Sequence, residues 1–271
     1  MLTSKKIKIG IFDSGLGGLT VFKSLSTFYR EQTSFLYLGD LAHLPYGDKS
    51  KQSIIKYSQK IVDFFINQQV DLIIVACNSA SSVALDSLQS SVPIIGTINP
   101  SIKAVIQKEN SQSIGIIGTE TTINSKAYNN AFKKHHNYTI HSISCPLFVP
   151  IVEEGWENTE IAHQIATKYL STFNSINLDT IILACTHYPM LINTLKSVFS
   201  NLGYKNLTMI DSGTAIANYL STKTSLTQKF QTNNIVDSND QFYITDTSHQ
   251  FNELANRFLG EKIPNIQLIS L

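Results

Sequence analysis

Two cysteines stand at matching places in two similar segments of the chain. Asp71–Cys77 and Asp179–Cys185 each run from an aspartate through apolar residues to a cysteine, and hydroxyl or amide side chains follow both. A single free cysteine is usually a small core residue. At a helix N-terminus, however, the pKa of a thiol is lowered, which suits a base or a nucleophile. Two thiols facing each other across a cleft could remove a proton from one face of a carbon and return one to the other.

A glycine-rich segment, Asp13-Ser14-Gly15-Leu16-Gly17-Gly18, follows the first apolar run. Glycines let a ligand approach the backbone, and a helix N-terminus offers N–H groups to an anion. The segment lacks the GxGxxG spacing and the lysine of a phosphate loop, which favours a tight strand-to-helix turn over nucleotide binding. Asp13 stands where a helix N-cap would, and its carboxylate could also hold an ammonium group.

Other polar residues could join such a site. Leu44–Gly47 contains proline and glycine after the second apolar run, which indicates an ordered turn at the same sheet edge. Glu153 and Glu154 follow an apolar run, where a surface helix would also explain them. His187 could assist a thiol, bind a metal or cap a turn. Cys145 precedes Pro146 without a hydroxyl-rich loop, which favours a structural role.

Short apolar runs alternate with segments of helical periodicity. Continuous runs of this kind are typical of parallel strands covered on both faces, and Ser50–Gln68 repeats apolar residues at helical intervals. The alternation predicts an α/β fold with mostly parallel sheets. The predicted strands are Ile7–Phe12, Ser34–Leu38, Leu72–Ala76, Pro93–Ile95, Ile114–Ile117, Thr139–Ile143, Thr180–Ala184 and Leu207–Ile210.

The chain also repeats itself weakly. Ile9–Phe12 is echoed by Ile114–Ile117 at nearly the same offset as the two cysteine segments. This repeat predicts two pseudo-symmetric, doubly wound parallel-sheet domains with the active site in the cleft between them. We assign residues 1–98 with 211–271 to the first domain and residues 99–210 to the second.

The tail is expected to return to the first domain. It contains a polar stretch, Ser221–Asp240, then a strand at Phe242–Thr245 and an amphipathic helix at Phe251–Leu259. Such a tail would pack most naturally back on the first domain.

Composition excludes several classes of protein. The chain has 271 residues, 42% hydrophobic and 15% charged, which is enough to fill a core. Its 21 basic residues nearly balance 20 acidic ones, so we expect no nucleic-acid partner. Three cysteines without a CxxC pair disfavour a disulfide framework and a zinc ribbon. The polar start, Met1–Lys8, and the short apolar runs predict a cytoplasmic protein without a membrane span.

Taken together, the motifs resemble the signature blocks of the bacterial glutamate racemase family, within the aspartate/glutamate racemase superfamily. They occur in that family's order, and Phe242–Asp246 with the helix after it resembles the family's C-terminus. The blocks are Gly10–Val21, Pro45–Gly47, Ala76–Ser81, Cys145–Glu153 and Ala184–Pro189.

The resemblance implies a racemase that interconverts L- and D-glutamate without cofactor or metal and supplies D-glutamate for peptidoglycan. By the family pattern, Cys77 acts on D-glutamate and Cys185 on L-glutamate. Asp13 would assist Cys77, whereas Glu153, chosen over Glu154, and His187 would assist Cys185. A homodimer is common in the family. The residues implied to hold the substrate are Asp13, Ser14, Tyr46, Gly47, Asn78, Ser79, Thr186 and His187.

One residue departs from the family pattern. The family usually has threonine where this chain has Ser79. Serine keeps the hydroxyl but loses the methyl group that restricts its rotamer. We therefore expect a modest effect on substrate affinity and none on the type of reaction.

Other functions remain open at this point. An aspartate or hydantoin racemase would keep both cysteines and differ in the substrate loops. A cysteine hydrolase or amidase would need only Cys185 with His187. A non-catalytic amino-acid-binding protein would bind glutamate without exchanging its α-proton, and Cys77, Cys185 and His187 could instead form a zinc site.

Overall fold

Strands and helices lie where the apolar patterns predict them in a computed structural model, which describes residues 7–31, 33–108, 111–135, 137–223, 240–247, 251–263 and 266–271. The predicted helix at Ser50–Gln68 occupies Lys51–Asn67, with the Ser50 hydroxyl capping the N–H of Ser53 at 3.2 Å. Most of the predicted stretch Ser221–Asp240 lies outside the described residues, as do Met1–Lys6.

The strands are β1 (Ile7–Asp13), β2 (Thr33–Gly39), β3 (Leu72–Val75), β4 (Ile94–Gly96), β5 (Ser113–Gly118), β6 (Thr139–Ser144), β7 (Thr180–Ala184), β8 (Thr208–Asp211), β9 (Gln241–Ile244) and β10 (Ile266–Leu268). They form a six-stranded sheet in the order β10-β9-β2-β1-β3-β4 and a four-stranded sheet in the order β6-β5-β7-β8. Neighbouring strands are parallel in both sheets.

The α-helices are α1 (Leu19–Tyr29), α2 (Lys51–Asn67), α3 (Asn78–Val83), α4 (Ile98–Ile106), α5 (Glu120–Asn124), α6 (Ala127–Phe132), α7 (Phe148–Glu153), α8 (Glu160–Leu170), α9 (Ile192–Asn201), α10 (Ser212–Ser221) and α11 (Phe251–Leu259). α10 packs against both α1 and α4, and so joins the helices around the two sheets.

The predicted repeat is visible in the order of the strands. β2-β1-β3-β4 in the first sheet corresponds to β6-β5-β7-β8 in the second. The echoed segments fall on β1 and β5, and the cysteine segments fall on β3 and β7. Both sheets therefore change winding direction beside the strand that precedes a cysteine, where ligands bind in folds of this kind.

The tail completes the first sheet, as predicted. β9 pairs with β2 and β10 with β9, whereas α11 packs against α1. β10 was not predicted, because its three residues are too short to show a pattern. The two-sheet α/β architecture is thus confirmed, and the exact domain limits stay a prediction.

Both faces of the central strands are buried. On β1, Ile9 and Ile11 join one apolar cluster, and Phe12 joins another on the opposite face. The first cluster continues into the second half of the chain through Phe148 and Leu195. One continuous apolar core therefore contacts both sheets. It fixes the loops at the carboxyl ends of the two sheets relative to each other.

Candidate active site

A cavity of about 400 Å³ lies where the carboxyl ends of the two sheets meet. Loops after β1, β2 and β3 line one part, and loops after β5, β6 and β7 line the rest. Of the predicted site residues, only Asp13 lies behind this wall. The lining residues are Ser14, Gly15, Leu44, Pro45, Tyr46, Gly47, Asp48, Cys77, Asn78, Ser79, Thr119, Glu120, Pro146, Leu147, Val149, Pro150, Glu153, Cys185, Thr186 and His187.

Cys77 is the N-cap residue of α3 and is buried in the cavity wall. Its sulfur accepts the N–H of Ala80 at 3.4 Å, and its thiol lies 3.7 Å from Ser14 Oγ. Burial and then the charge of Asp13 raise the pKa of Cys77 to about 12, against the smaller opposing effect of the Ala80 N–H. The expectation of a lowered pKa is therefore wrong for Cys77, because one helical turn cannot outweigh burial beside a carboxylate.

Asp13 ends β1 and is buried. Its Oδ2 accepts the N–H of Gly15 at 3.0 Å, and the Thr186 hydroxyl donates to its Oδ1 at 3.3 Å. The sequence predicts Asp13 as the N-cap of α1. That prediction is wrong, because the helix begins after Gly18. Burial raises the pKa of Asp13, and the positive charge of His187 opposes that rise. The carboxylate thus ties the loop after β1 to the loop after β7.

Cys185, His187 and Glu153 form a second group across the cavity. Cys185 Sγ lies 4.0 Å from His187 Nδ1, and His187 Nε2 lies 3.1 Å from Glu153 Oε1. Burial alone would lower the pKa of His187, but hydrogen bonds to Cys185 and Glu153 raise it to about 10. His187 is therefore an imidazolium at neutral pH, next to a thiol.

The backbone around Cys185 differs from that around Cys77. A 3₁₀ helix at Tyr188–Leu191, rather than an α-helix, follows Cys185. The helix N-terminus therefore lies two residues after this cysteine, at His187, which is also the positive group beside its sulfur. Phe258 of α11 packs its edge against the His187 ring, with centroids 5.1 Å apart.

Glu153 and Glu154 face different surroundings. Both glutamates border a small surface pocket with Arg257, but Glu153 also lines the cavity and contacts His187, whereas Glu154 does neither. The geometry therefore favours the choice of Glu153 that the family pattern implies.

Gly17 and Gly18 of the glycine-rich loop face other segments of the chain and not an open anion site. A Cβ atom on Gly17 would lie 2.4 Å from both His187 Nδ1 and Thr186 Oγ1. One on Gly18 would lie 2.5 Å from Asp13 Cβ. Within this loop, the cavity is lined by Ser14 and Gly15. The glycines thus allow the loops after β1 and β7 to touch.

Tyr46 and Gly47 are held by groups that the sequence reading missed. The Tyr46 hydroxyl donates to buried Asp40 at 2.5 Å, and the Gly47 carbonyl accepts from the Thr121 hydroxyl at 2.5 Å. Burial and then Asp40 raise the pKa of Tyr46, so it remains a phenol. Asp40 also accepts from the Thr245 hydroxyl at 2.8 Å. The sequence feature that could have identified Asp40 is its position, a charged residue directly after β2.

Asn78 is both a lining residue and a junction between elements. Its Oδ1 accepts from the hydroxyls of Thr97 and Tyr128, each at 2.8 Å, and its Nδ2 donates to Ser212 Oγ at 3.1 Å. The oxygen is therefore occupied. What Asn78 can offer a ligand is its backbone N–H at the start of α3 and its second amide hydrogen.

Thr119 and Glu120 line the cavity and were also missed. Thr119 follows β5 as Ser14 follows β1, and its hydroxyl lies 2.9 Å from Ser79 Oγ. The internal repeat could have identified Thr119, because it aligns the two loops. The two hydroxyls form a polar bridge between the sheets at one wall of the cavity.

The cavity offers an anion mostly neutral donors, with His187 as the cationic residue of its described lining. None of its described lining residues is lysine or arginine, and Asp48, Glu120 and Glu153 contribute acids. A bound carboxylate would therefore depend on hydroxyls and on backbone N–H groups at the starts of helices. His187, which itself lines the cavity, could add a positive charge.

The described residues contain no group of three or more His, Cys, Asp and Glu side chains that could hold a metal ion. Cys77, Cys185 and His187 are thus not arranged as a zinc site, and the absence of a metal requirement stays a prediction. Over the same described ranges, no helix is long and apolar enough to cross a membrane.

Ser79→Thr is expected to change KM by about two- to threefold and leave kcat unchanged. The added methyl restricts the hydroxyl that contacts Thr119 without removing it. Steady-state kinetics check this, with Ser82→Thr on the same helix as a control outside the cavity lining. An unchanged KM would contradict the prediction, and a large loss of kcat would show that the added methyl group disturbs the reaction itself.

Comparison with known proteins gives one consistent family. The family model for Asp/Glu/hydantoin racemase matches residues 20–220. A glutamate racemase of Sulfurihydrogenibium sp. is 40% identical over 268 residues, covering 97% of this chain and 98% of the relative. One of Geobacter metallireducens is 36% identical over 97% of this chain and 96% of the relative.

Solved structures agree with the sequence relatives. Glutamate racemase from Francisella tularensis, in complex with D-glutamate, matches with a TM-score of 0.87 at 33% identity, covering 98% of both chains. A glutamate racemase isoform from Bacillus anthracis matches with a TM-score of 0.89 at 32% identity, covering 99% of this chain and 98% of that one.

Proposed function

Because the chain belongs to the Asp/Glu/hydantoin racemase family and, within it, to the glutamate racemases, we propose that Cys77 and Cys185 invert the α-carbon of glutamate by two-base proton transfer. The observation that carries this proposal is that two thiols, at equivalent positions of two repeated sheets, line one cavity. Inversion needs one group on each face of the carbon, and each sheet supplies one.

The two thiols have different charged neighbours, Asp13 at Cys77 and His187 at Cys185. The raised pKa keeps Cys77 protonated, and the His187 imidazolium lies beside the sulfur of Cys185. In the L-to-D direction, the Cys185 thiolate removes the α-proton, and the electron pair of the C–H bond moves into the α-carboxylate. The Cys77 thiol then gives its proton to the opposite face of the carbon. The products are D-glutamate, the Cys185 thiol and the Cys77 thiolate.

Stabilisation of the carbanion falls to positioned donors. Backbone N–H groups and the hydroxyls of Ser14 and Ser79 line the cavity, whereas the Thr186 hydroxyl already donates to Asp13. Proton transfer by a positioned group contributes about 10²–10⁴-fold, so these donors must provide much of the remaining acceleration. Asp13 is placed to assist Cys77, since it lies close enough to raise the pKa of that thiol.

The test of the proposed reaction is racemisation of purified L- and D-glutamate, followed by chiral chromatography after dialysis against a chelator and without added cofactor. We expect both enantiomers to approach an equal mixture, and aspartate to react far more slowly. Cys145→Ala is the matched control, because Cys145 is buried outside the cavity lining. If neither L-glutamate nor D-glutamate is racemised, the proposal is contradicted.

The resemblance also assigns the D-glutamate to peptidoglycan synthesis in the cytoplasm, which forms part of the proposal. Expression of the chain should restore growth of a bacterium that requires D-glutamate. A Cys77→Ala variant, expressed at the same level, should fail to do so.

Glu153→Gln is expected to lower the pKa of His187 by about one unit or more, because the variant removes a carboxylate 3.1 Å from Nε2. His187 would then lose its proton at a lower pH than about 10, and the alkaline fall in kcat/KM would begin earlier. NMR titration of the imidazole measures the pKa directly. Glu154→Gln is the control and should leave it unchanged.

A further inference from the structure

α1 reaches the loop that carries Cys185 through one side chain, Thr20. Thr20 lies on the first turn of α1 and is half-buried. Its hydroxyl lies 2.8 Å from the carbonyl of Gly17 and 2.9 Å from the carbonyl of Thr186. The first contact is within its own loop, whereas the second crosses from the first sheet's helix to the loop after β7.

The bonded carbonyl lies between the two reacting groups of that loop. Thr186 separates Cys185 from His187, and its own hydroxyl donates to Asp13 at 3.3 Å. Thr20 and Asp13 thus hold the backbone and the side chain of Thr186 from two elements of the first sheet. Gly17, one turn before Thr20, makes room for this approach.

Holding the Thr186 carbonyl also sets the direction of the next N–H group. The cis peptide bond in the described residues is Leu44–Pro45, so the bond between Thr186 and His187 is trans. In a trans peptide the C=O and N–H groups point in opposite directions. With the carbonyl directed at α1, the N–H of His187 is directed away from α1. Thr186 and His187 both line the cavity, whereas Thr20 does not.

We propose that Thr20 is a positioning residue for racemisation, which holds the Thr186–His187 peptide so that Cys185 and the His187 N–H face the substrate. The inference rests on the proposed function, because it concerns the geometry of the same reaction. Thr20 does not line the cavity, and it acts on the loop after β7 through the carbonyl of Thr186.

Thr20→Val tests the proposal, since valine keeps the shape of threonine and removes the hydroxyl. The matched control is Thr27→Val on the same helix, where the hydroxyl donates only to the Lys23 carbonyl at 2.8 Å. We expect kcat to fall about tenfold or more in Thr20→Val, since small displacements of reacting groups have effects of this size. KM should change much less, and Thr20→Ser should restore kcat.

Two readouts separate this role from a structural one. The rate at which iodoacetamide alkylates Cys185 as a function of pH, followed by peptide mass spectrometry, should change in Thr20→Val and not in Thr27→Val. Thermal unfolding shows whether each variant is folded, and Thr20→Ala replaces Thr20→Val if the latter does not fold. Equal kcat and equal alkylation profiles in the two valine variants would overturn the inference. An inactive wild-type protein would instead contradict the proposed function.

Discussion

Racemisation of glutamate is expected to fall by about 10³-fold or more, in both directions, when either Cys77 or Cys185 is replaced by alanine. Each substitution removes one sulfur from the wall of the cavity and leaves the other thiol in place. With one face lacking a proton donor or acceptor, inversion depends on water, which is a weaker acid than a thiol and a weaker base than a thiolate. The measured quantities are kcat for L-glutamate and kcat for D-glutamate, in separate assays.

The third cysteine provides the control for this prediction. Cys145→Ala removes a sulfur of the same kind from the core, and we expect its kcat to stay within about twofold of wild type, although packing is lost. Retention of activity in Cys77→Ala, with loss in Cys185→Ala, would favour chemistry by a single cysteine with His187.

Gly17→Ala is expected to reduce kcat by about 10²-fold, because the loops after β1 and β7 must separate to admit one methyl group. The Cβ atom would lie 2.4 Å from His187 Nδ1 and from Thr186 Oγ1, well inside contact distance. We also expect the free energy of unfolding to fall by about 1–3 kcal/mol, the usual effect of overpacking. Steady-state kinetics and denaturant unfolding measure the two effects.

Gly15→Ala is the control for the unfolding measurement, since it changes the same loop where there is space. Its Cβ atom would meet only Leu44 Cδ2, at 3.5 Å. We expect its unfolding free energy to equal that of wild type. Equal stability and full activity in Gly17→Ala would show that the two loops do not need their close contact.

The sequence predicts the fold well because the pattern and the packing agree. Strands buried on both faces, such as β3 and β7, are continuous apolar runs, and their similarity along the chain reveals the repeated sheets. α2 combines a strong apolar stripe with a serine N-cap, and its predicted limits differ from the observed ones by one residue at each end. β10 has neither signal.

The site is predictable only in part, because much of it depends on contacts between distant segments. The cysteines stand out by their repeated setting, and the carboxyl ends of the strands locate the cavity. Thr119 contacts Ser79 and Asp40 contacts Thr245, both far away in the chain, and periodicity does not reveal either contact. The pKa of Cys77 depends on burial and on Asp13, and the local helix start predicts the opposite direction.

The most direct test of two-base inversion is the position of deuterium early in the reaction of L-glutamate in D₂O. Chiral separation followed by mass spectrometry gives the deuterium content of the product and of the remaining substrate. If Cys185 removes the α-proton and Cys77 delivers a solvent-derived deuteron to the other face, D-glutamate carries deuterium while unreacted L-glutamate keeps its proton. If the remaining L-glutamate gains deuterium as fast as D-glutamate forms, one group serves both faces of the carbon. That result would contradict the two-cysteine account.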